Sequence, residues 1–443
     1  MQDHLTSPSN AVSRRQFLKS SSLLAASAAA AASFPSVLSA QNSQPIRAVV
    51  VGLGGRGSGA GHDFLEAAKA ASADAKIVAV ADLFPEAARK GTELYGVPED
   101  KCFSGFDAYQ KVIGLPEVNY VILATPPGFR APQFKAAIEA GKNVFMEKPV
   151  AMDGPGYRLL CEAADVSKQK NLKVAAGTQR RHQASYLETI KRLKDGAIGD
   201  IVTLRAYWVN GGPIWHRGDN GSTDLERQIR NWYHYIWLSG DHICEQHVHN
   251  LDVCNWIMGD HPKSCWGMGA RQQLDGKSGE IWDNFGVEYE YPNGARMYSY
   301  CGQIKRDWAS VSEAVQGTNG TSDPGGRIQP KGGATWRHRG QGVNPYVQEH
   351  IDLINAILKD TPLNEARQVA DSTLTAIMGR EAAYSGAGVE WDAIANSNFA
   401  YGPDVLYRDC GKMEWGPFRT LQPPMPSEHN ILKDPPMAPV AKA

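Results

Sequence analysis

The chain has almost no excess charge. Lysine and arginine number 46 against 47 aspartates and glutamates, a formal net charge of −1. That balance excludes the basic footprint of a nucleic-acid or anionic-lipid binder. Past residue 40 no stretch approaches the ~20 consecutive apolar residues of a membrane-spanning helix. Cysteine is sparse: seven residues, at 102, 161, 244, 254, 265, 301 and 410, with no CxxC or zinc-ribbon spacing. An odd number without such spacing points to buried free thiols rather than a disulfide framework. No repeat of solenoid period occurs. What is plentiful is apolar residue, 42% of the chain, enough for the cores of two domains.

The chain opens on a targeting pattern. Ser13-Arg14-Arg15-Gln16-Phe17-Leu18-Lys19 precedes an Ala-rich run from Ser20 to Ala32 and the small-residue stretch Ser36-Val37-Leu38-Ser39-Ala40. The expectation is a twin-arginine signal over residues 1–40, cleaved near Ser39 or Ala40. An uncleaved anchor is the alternative. Twin-arginine export carries folded proteins, often around a cofactor, so the expected destination is the periplasm. A nucleotide enzyme sent there would have to hold its cofactor tightly and recycle it in place.

Ile46–Val51 is a short, continuous, β-branched run suited to a strand buried on both faces. It leads into Gly52-Leu53-Gly54-Gly55-Arg56-Gly57, a G-x-G-x-x-G, and then a helix over about 58–71. The first glycine permits a tight turn, the second lets backbone approach a pyrophosphate, and the third lets the helix pack closely. Uncapped amides at the helix start then face the phosphates. The next strand, from Lys76, ends in Asp82, near the separation of about 20 residues expected for an acid that accepts the ribose hydroxyls. A carboxylate there repels a 2′-phosphate, which favours NAD over NADP. Further strands end at Thr125-Pro126-Pro127 and at Glu147-Lys148-Pro149. Ligands in doubly wound sheets sit beyond the carboxyl ends of the strands, so Lys148 is placed at the cofactor's reactive end.

The second half is longer in its patterns and more antiparallel. Asn284–Tyr291 and Ala295–Gln303 flank Pro292-Asn293-Gly294, a hairpin signal. Residues 317–333, rich in Gly and Pro, read as a long loop, and helices are expected over 349–359 and 364–384. The densest chemistry lies between Gly240 and Trp256. On one continuous helix Glu245, His249 and Asp252 would share a face. A histidine flanked by carboxylates, with a pKa near neutrality, suits removal of a hydroxyl proton as hydride leaves a carbinol carbon. Lys148 would steady the developing alkoxide. The same run also offers a metal reading through His242, Glu245 and His247, although His247 and His249 cannot share one helical face; the expectation is no metal. Arg180, Trp232, Tyr233 and His234, together with His249, are candidates to hold substrate, since aromatic faces stack on sugar C–H groups.

The Gly52–Gly57 loop, Thr125-Pro126, Glu147-Lys148-Pro149 and the later His/Asp helix together resemble the Gfo/Idh/MocA oxidoreductases. The resemblance implies an N-terminal Rossmann domain and a C-terminal α+β domain with a large open mixed sheet through which members oligomerise, as dimers or tetramers. It implies NAD held by Gly52, Leu53, Gly54, Gly55, Arg56, Gly57, Asp82, Thr125, Pro126, Pro127, Glu147 and Lys148. It also implies catalysis by Lys148 and His249 with Glu245 and Asp252, on a small carbohydrate or polyol. Glu245 stands where the family has Asp, and Gly128-Phe129-Arg130 stands where a histidine is common. The expected boundaries are 41–170 for the nucleotide domain, 171–420 for the substrate domain and 421–443 for a Pro-rich tail. Two other readings stay open. One is an NAD-dependent, redox-neutral glycosidase that oxidises transiently and eliminates. The other is a sugar-binding protein with a vestigial nucleotide loop.

Overall fold

The computed structural model describes residues 45–211, 214–274, 279–419 and 421–433. The export pattern and the end of the Pro-rich tail lie outside the described residues. The described residues form one compact unit built on two sheets.

The first sheet has six strands: β1 (Ile46–Val51), β2 (Ala75–Asp82), β3 (Cys102–Ser104), β4 (Tyr120–Leu123), β5 (Asn143–Met146) and β6 (Val174–Ala176). Their order is β3-β2-β1-β4-β5-β6, and every pairing is parallel. The strand order reverses between β1 and β4, where a crevice opens beyond the carboxyl ends. β1 and β4 are apolar and almost completely buried, as strands covered by helices on both faces must be. One face packs on the helix Gly55–Ala70 through Ala60, Phe64 and Ala67. The helix Pro345–Lys359 completes that layer with Val347, Leu353 and Ile354. Each such side chain removed from water contributes roughly 1.5–3 kcal/mol.

The second sheet has nine strands: β7 (Ile201–Asn210), β8 (Ser264–Ala270), β9 (Asn284–Glu290), β10 (Arg296–Gln303), β11 (Ser310–Gly317), β12 (Gly320–Asp323), β13 (Arg327–Pro330), β14 (Trp336–Arg337) and β15 (Val389–Glu390). Their order is β14-β13-β12-β11-β7-β10-β9-β8-β15. Only β7 and β10 pair in parallel; the others are antiparallel, so the sheet is mixed. The Asn293-Gly294 signal makes the expected turn between β9 and β10, with Gly294 at φ +85°. The run 317–333 is not the loop its composition suggests. Gly320 and Gly326 have φ of +159° and +147°, which lets β11, β12 and β13 turn tightly. The glycines there mark turns between strands rather than an absence of strands.

The helices Val248–Met258 and Ala366–Ser385 cover one face of this sheet. The opposite face carries exposed Trp266, Met268 and Tyr300. No described cysteine is in a disulfide, and six of the seven are buried.

Candidate active site

At the crevice between β1 and β4, Gly52 takes φ +94°, and a Cβ on it would stand 2.7 Å from the Thr125 amide nitrogen. A Cβ on Gly57 would stand 1.7 Å from the Gly52 carbonyl oxygen. These two glycines let strand, turn and helix close on one another. Gly54 and Gly55 do something different: a Cβ on either would meet nothing within 4 Å, because both face open space. The helix Gly55–Ala70 begins there with no side chain capping its first amides. Phosphate oxygens fit such a set of amides in charge and direction.

That open space is a cleft of about 750 Å³. Gly52, Leu53, Gly54, Gly55 and Arg56 line it, as do Asp82, Thr125, Pro126 and Pro127, and Glu147 with Lys148. Gly57 is not on the wall; it packs beneath it. Asp82 stands at the end of β2. Its carboxylate accepts the Leu53 amide at 2.7 Å and the Phe84 amide at 2.9 Å, so it is oriented before any ligand arrives. Burial pushes its carboxyl up, against those two bonds. The glycine cradle, the uncapped amides and an oriented acid on one wall fit the pyrophosphate and adenosine ribose of a dinucleotide.

The other end of the cleft holds the reactive side chains. Arg56 reaches back from the helix start to Glu147 at 2.5 Å and to Asp63 at 2.8 Å, and its guanidinium lies 4.9 Å above the Tyr346 ring. Lys148 Nζ sits 3.1 Å from Glu245 Oε1 and also donates to the Glu245 carbonyl. Burial pushes the Glu245 carboxyl up, while the Lys148 cation draws it down. His249 stands on the same wall, stacked on Trp208 at 5.6 Å. Its Nδ1 is buried without a hydrogen-bond partner among the described residues. Burial, then the cations Lys148, Arg180 and Arg56, hold its pKa well below the ordinary value. The shift favours the neutral ring, and the unpartnered Nδ1 leaves a ring nitrogen to meet a substrate hydroxyl.

Several expectations are corrected here. Glu245, His249 and Asp252 do not share one helix face. The chain forms a short helix His242–Glu245, breaks at Gln246-His247, and starts again as Val248–Met258. The break turns Glu245 toward Lys148 rather than His249. It also puts Asp252 away from the cleft, where its carboxylate bridges Arg181 at 2.8 Å and accepts from Ser372 at 2.7 Å. The pKa of His249 lies below neutrality, first because the ring is buried and then because Lys148, Arg180 and Arg56 bring positive charge near it. Arg180 is buried against Glu313 at 3.0 Å and does not line the cleft. Tyr233 and His234 are buried behind the wall. Tyr233 donates to Gln303 at 3.1 Å, and the His234 Nε2 lies 2.6 Å from the Trp215 carbonyl. They hold the loop that presents Trp215 and Trp232, both of which line the cleft.

The histidines of the metal reading also diverge. His242 Nδ1 faces the Tyr233 hydroxyl at 3.3 Å, and His247 Nε2 faces Ser299 at 2.8 Å. Among the described residues no three His, Cys, Asp or Glu side chains are placed to share a metal ion.

Trp208, Tyr346 and Arg130 are among the wall residues that sequence reasoning missed. Trp208 is an inward position of β7, and its alternation with Leu204 and Ala206 was the available signal. Tyr346 comes from the first turn of a helix that returns from the far end of the chain, and nothing local marks it. Arg130, where the family often has histidine, is buried beside the cleft. It donates to the Leu123 and Thr125 carbonyls, and burial pushes its pKa down to about 10.

Residues 46–177 match the family described as "Oxidoreductase family, NAD-binding Rossmann fold" and residues 186–322 match the "GFO/IDH/MocA C-terminal domain", together more than half of the chain. Inositol 2-dehydrogenase of Rhizobium meliloti is 28% identical over 201 residues, 44% of this chain and 52% of the relative. Inositol 2-dehydrogenase of Klebsiella pneumoniae (strain 342) is 30% identical over 190 residues, 43% of this chain and 49% of the relative. The chain thus spans about half the length of the curated relatives it matches. Aldose-aldose oxidoreductase from Caulobacter crescentus superposes with a TM-score of 0.62 at 22% identity, over 78% of this chain and 99% of that one. Levoglucosan dehydrogenase superposes with a TM-score of 0.62 at 18% identity, over 78% of this chain and 99% of that one. These likenesses show the fold. With both halves matched in order, and with the glycine cradle and the Glu147-Lys148-Pro149 corner in one cleft, the chain belongs to the GFO/IDH/MocA oxidoreductase family.

Proposed function

We propose that the protein is an NAD-dependent oxidoreductase acting on a CH–OH group of a sugar or polyol. The observation that carries this reading is the juxtaposition of the Lys148–Glu245 pair and the buried His249, whose Nδ1 has no partner among the described residues, in the same cleft as the glycine cradle and Asp82. When bound, a nicotinamide nucleotide supplies the hydride acceptor. The backbone amides at Gly54 and Gly55 would hold its phosphates, and Asp82 would hold the adenosine ribose. His249 takes the substrate hydroxyl proton on its unprotonated ring. Lys148 stands beside the developing alkoxide, and Glu245 keeps the ammonium in place. General acid–base help of this kind is worth about 10²–10⁴-fold. Trp215 and Trp232 offer apolar faces for sugar C–H groups. The inositol dehydrogenases among the relatives support a polyol or sugar as the substrate class.

The nucleotide stays bound and is recycled by a second substrate, in a protein exported through the twin-arginine pathway to the periplasm. The sequence pattern at residues 13–40 supports this. The protein works as a homo-oligomer joined through the open face of the nine-stranded sheet. Met268, Tyr300 and Tyr207 lie in one cross-strand row there, with Gly286 between Met268 and Tyr300. Tyr207 and Tyr300 stack at 5.9 Å. Uncovered aromatic rows of this kind mark interfaces. Acid release and mass analysis of the nucleotide carried by the native protein tests the reading. NAD is expected, and a native protein that neither carries nor binds nicotinamide nucleotide overturns it.

A further inference from the structure

The cleft's far end is closed by a piece of chain that the glycine cradle does not require. The helix Asp224–Arg230 is capped by Thr223, whose hydroxyl accepts the Glu226 amide at 3.2 Å. Its last residue, Arg230, reaches across to the loop after β2. There the guanidinium carbon lies 4.0 Å above the Phe84 ring centre, and its nitrogens lie 3.3 Å from Glu86 Oε1. Phe84 also stacks on Trp415 at 5.8 Å, and Trp415 packs against Phe106 at 4.8 Å.

The two reaching segments are tied together. The Leu225 amide donates to the Gly416 carbonyl at 3.2 Å, and Gln228 donates to the Arg419 carbonyl at 2.8 Å. These bonds join the helix and the segment around Trp415 on the side of the cleft facing the Phe84 loop. Phe84, Glu86, Phe106 and Arg230 all line the cleft. Phe84 is also bonded through its amide to Asp82, the acid assigned to the adenosine ribose.

Solvent weakens the Arg230–Glu86 pair, whose side chains are 33% and 59% exposed. The guanidinium–ring and ring–ring stacks carry the contact instead. It bridges elements nearly 150 and over 300 residues apart in sequence, so only a folded cleft can make it.

We propose that Arg230, Phe84 and Trp415 form a closure over the adenosine end of the cleft, and that a bound dinucleotide leaves only when this contact opens. Arg230 is then a cofactor-retaining residue. The inference rests on the nicotinamide-nucleotide reading above and names the residues that would make the cofactor resident.

The test is nucleotide exchange. The full chain is loaded with NADH, excess ADP-ribose is added, and release is followed by the loss of nicotinamide fluorescence. Arg230→Ala and Trp415→Ala should each release NADH about tenfold faster, the factor given by roughly 1.4 kcal/mol of lost contact. Association should quicken as well, which a general loosening of the fold would not produce. Arg230→Lys keeps the charge without the planar stack and should fall between Arg230→Ala and the parent. Trp415 is partly exposed and off the cleft wall, so its variant should stay folded, with an unfolding midpoint lowered by only a few degrees. NADH that binds all variants and leaves each at the parent's rate overturns the closure while leaving the dehydrogenase reading intact. A parent chain that takes up no NADH removes both.

Discussion

Lys148 and Glu245 meet at 3.1 Å across the reactive end of the cleft, although 97 residues separate them in sequence. One comes from the end of the first sheet and the other from the broken helix beneath the second. The pair places a cation beside His249, and that cation helps keep the imidazole unprotonated. Lys148→Met should therefore raise the His249 pKa, although only in part, because burial is the larger cause. Histidine NMR titration would read this. An upward move agrees with the geometry; an unmoved or lowered value contradicts it.

His249→Ala should lower the rate of hydride transfer by about 10²–10⁴-fold with little change in nucleotide affinity. Glu245→Gln keeps the shape and removes the charge, so its cost should fall on Lys148 and be smaller. Single-turnover kinetics with bound nucleotide separates the two. A His249 variant that transfers hydride at the parent's rate returns that residue to a packing role.

Asp82→Ala should weaken NAD by about 1–3 kcal/mol, the cost of orphaning hydrogen-bonded groups. The Leu53 and Phe84 amides lose their acceptor in the same step, so the glycine loop should also become more protease-sensitive. Calorimetric titration with NAD and with NADP measures the change. Affinity equal to the parent's removes Asp82 from the site.

His182 gives stability a pH dependence. Asp352 at 2.7 Å and Glu365 at 3.3 Å hold its pKa up at about 10 against burial. A raised pKa means the folded state binds the proton more tightly. Its contribution is complete below the unfolded value of about 6.5 and is lost as pH climbs to about 10. Buried His242, held down at about 4, and His247, at about 3, act in the opposite sense. They favour the fold above about 6.5 and oppose it progressively below. Urea unfolding of His182→Asn across this range should show a flatter alkaline limb than the parent. An identical limb would mean that His182 carries no excess proton in the folded state.

Much of the first sheet was legible because local chemistry dictates it. Ile46–Val51 can only be a strand buried on both faces, and Gly52 can only be a turn. Asp82 and Lys148 follow from being strand ends. The second half was harder. Gly320 and Gly326 look like a loop, and only the pairing of β12 with β11 and β13 makes them turns. The heptad spacing of Glu245, His249 and Asp252 fits one helix. Periodicity cannot show that the helix breaks at Gln246, because the break is held by tertiary contacts such as that between Lys148 and Glu245. Arg180, Tyr233 and His234 have the side chains of ligand-binding residues, but Glu313, Gln303 and Trp215 already engage them. Tyr346 reaches the nucleotide cleft, and Trp415 the Phe84 and Phe106 rings on its wall, from the far end of the chain, where no sequence window links them to Gly52.

The most direct measurement is the absorbance of the protein's own bound nicotinamide when a panel of inositols and aldoses is added without free nucleotide. A reduced-nicotinamide band is expected with at least one of them, lost in His249→Ala and reversed when a keto- or aldo-sugar acceptor follows. Bound NAD that no polyol or sugar reduces, in a protein whose His249 and Lys148 variants behave like the parent, would contradict it.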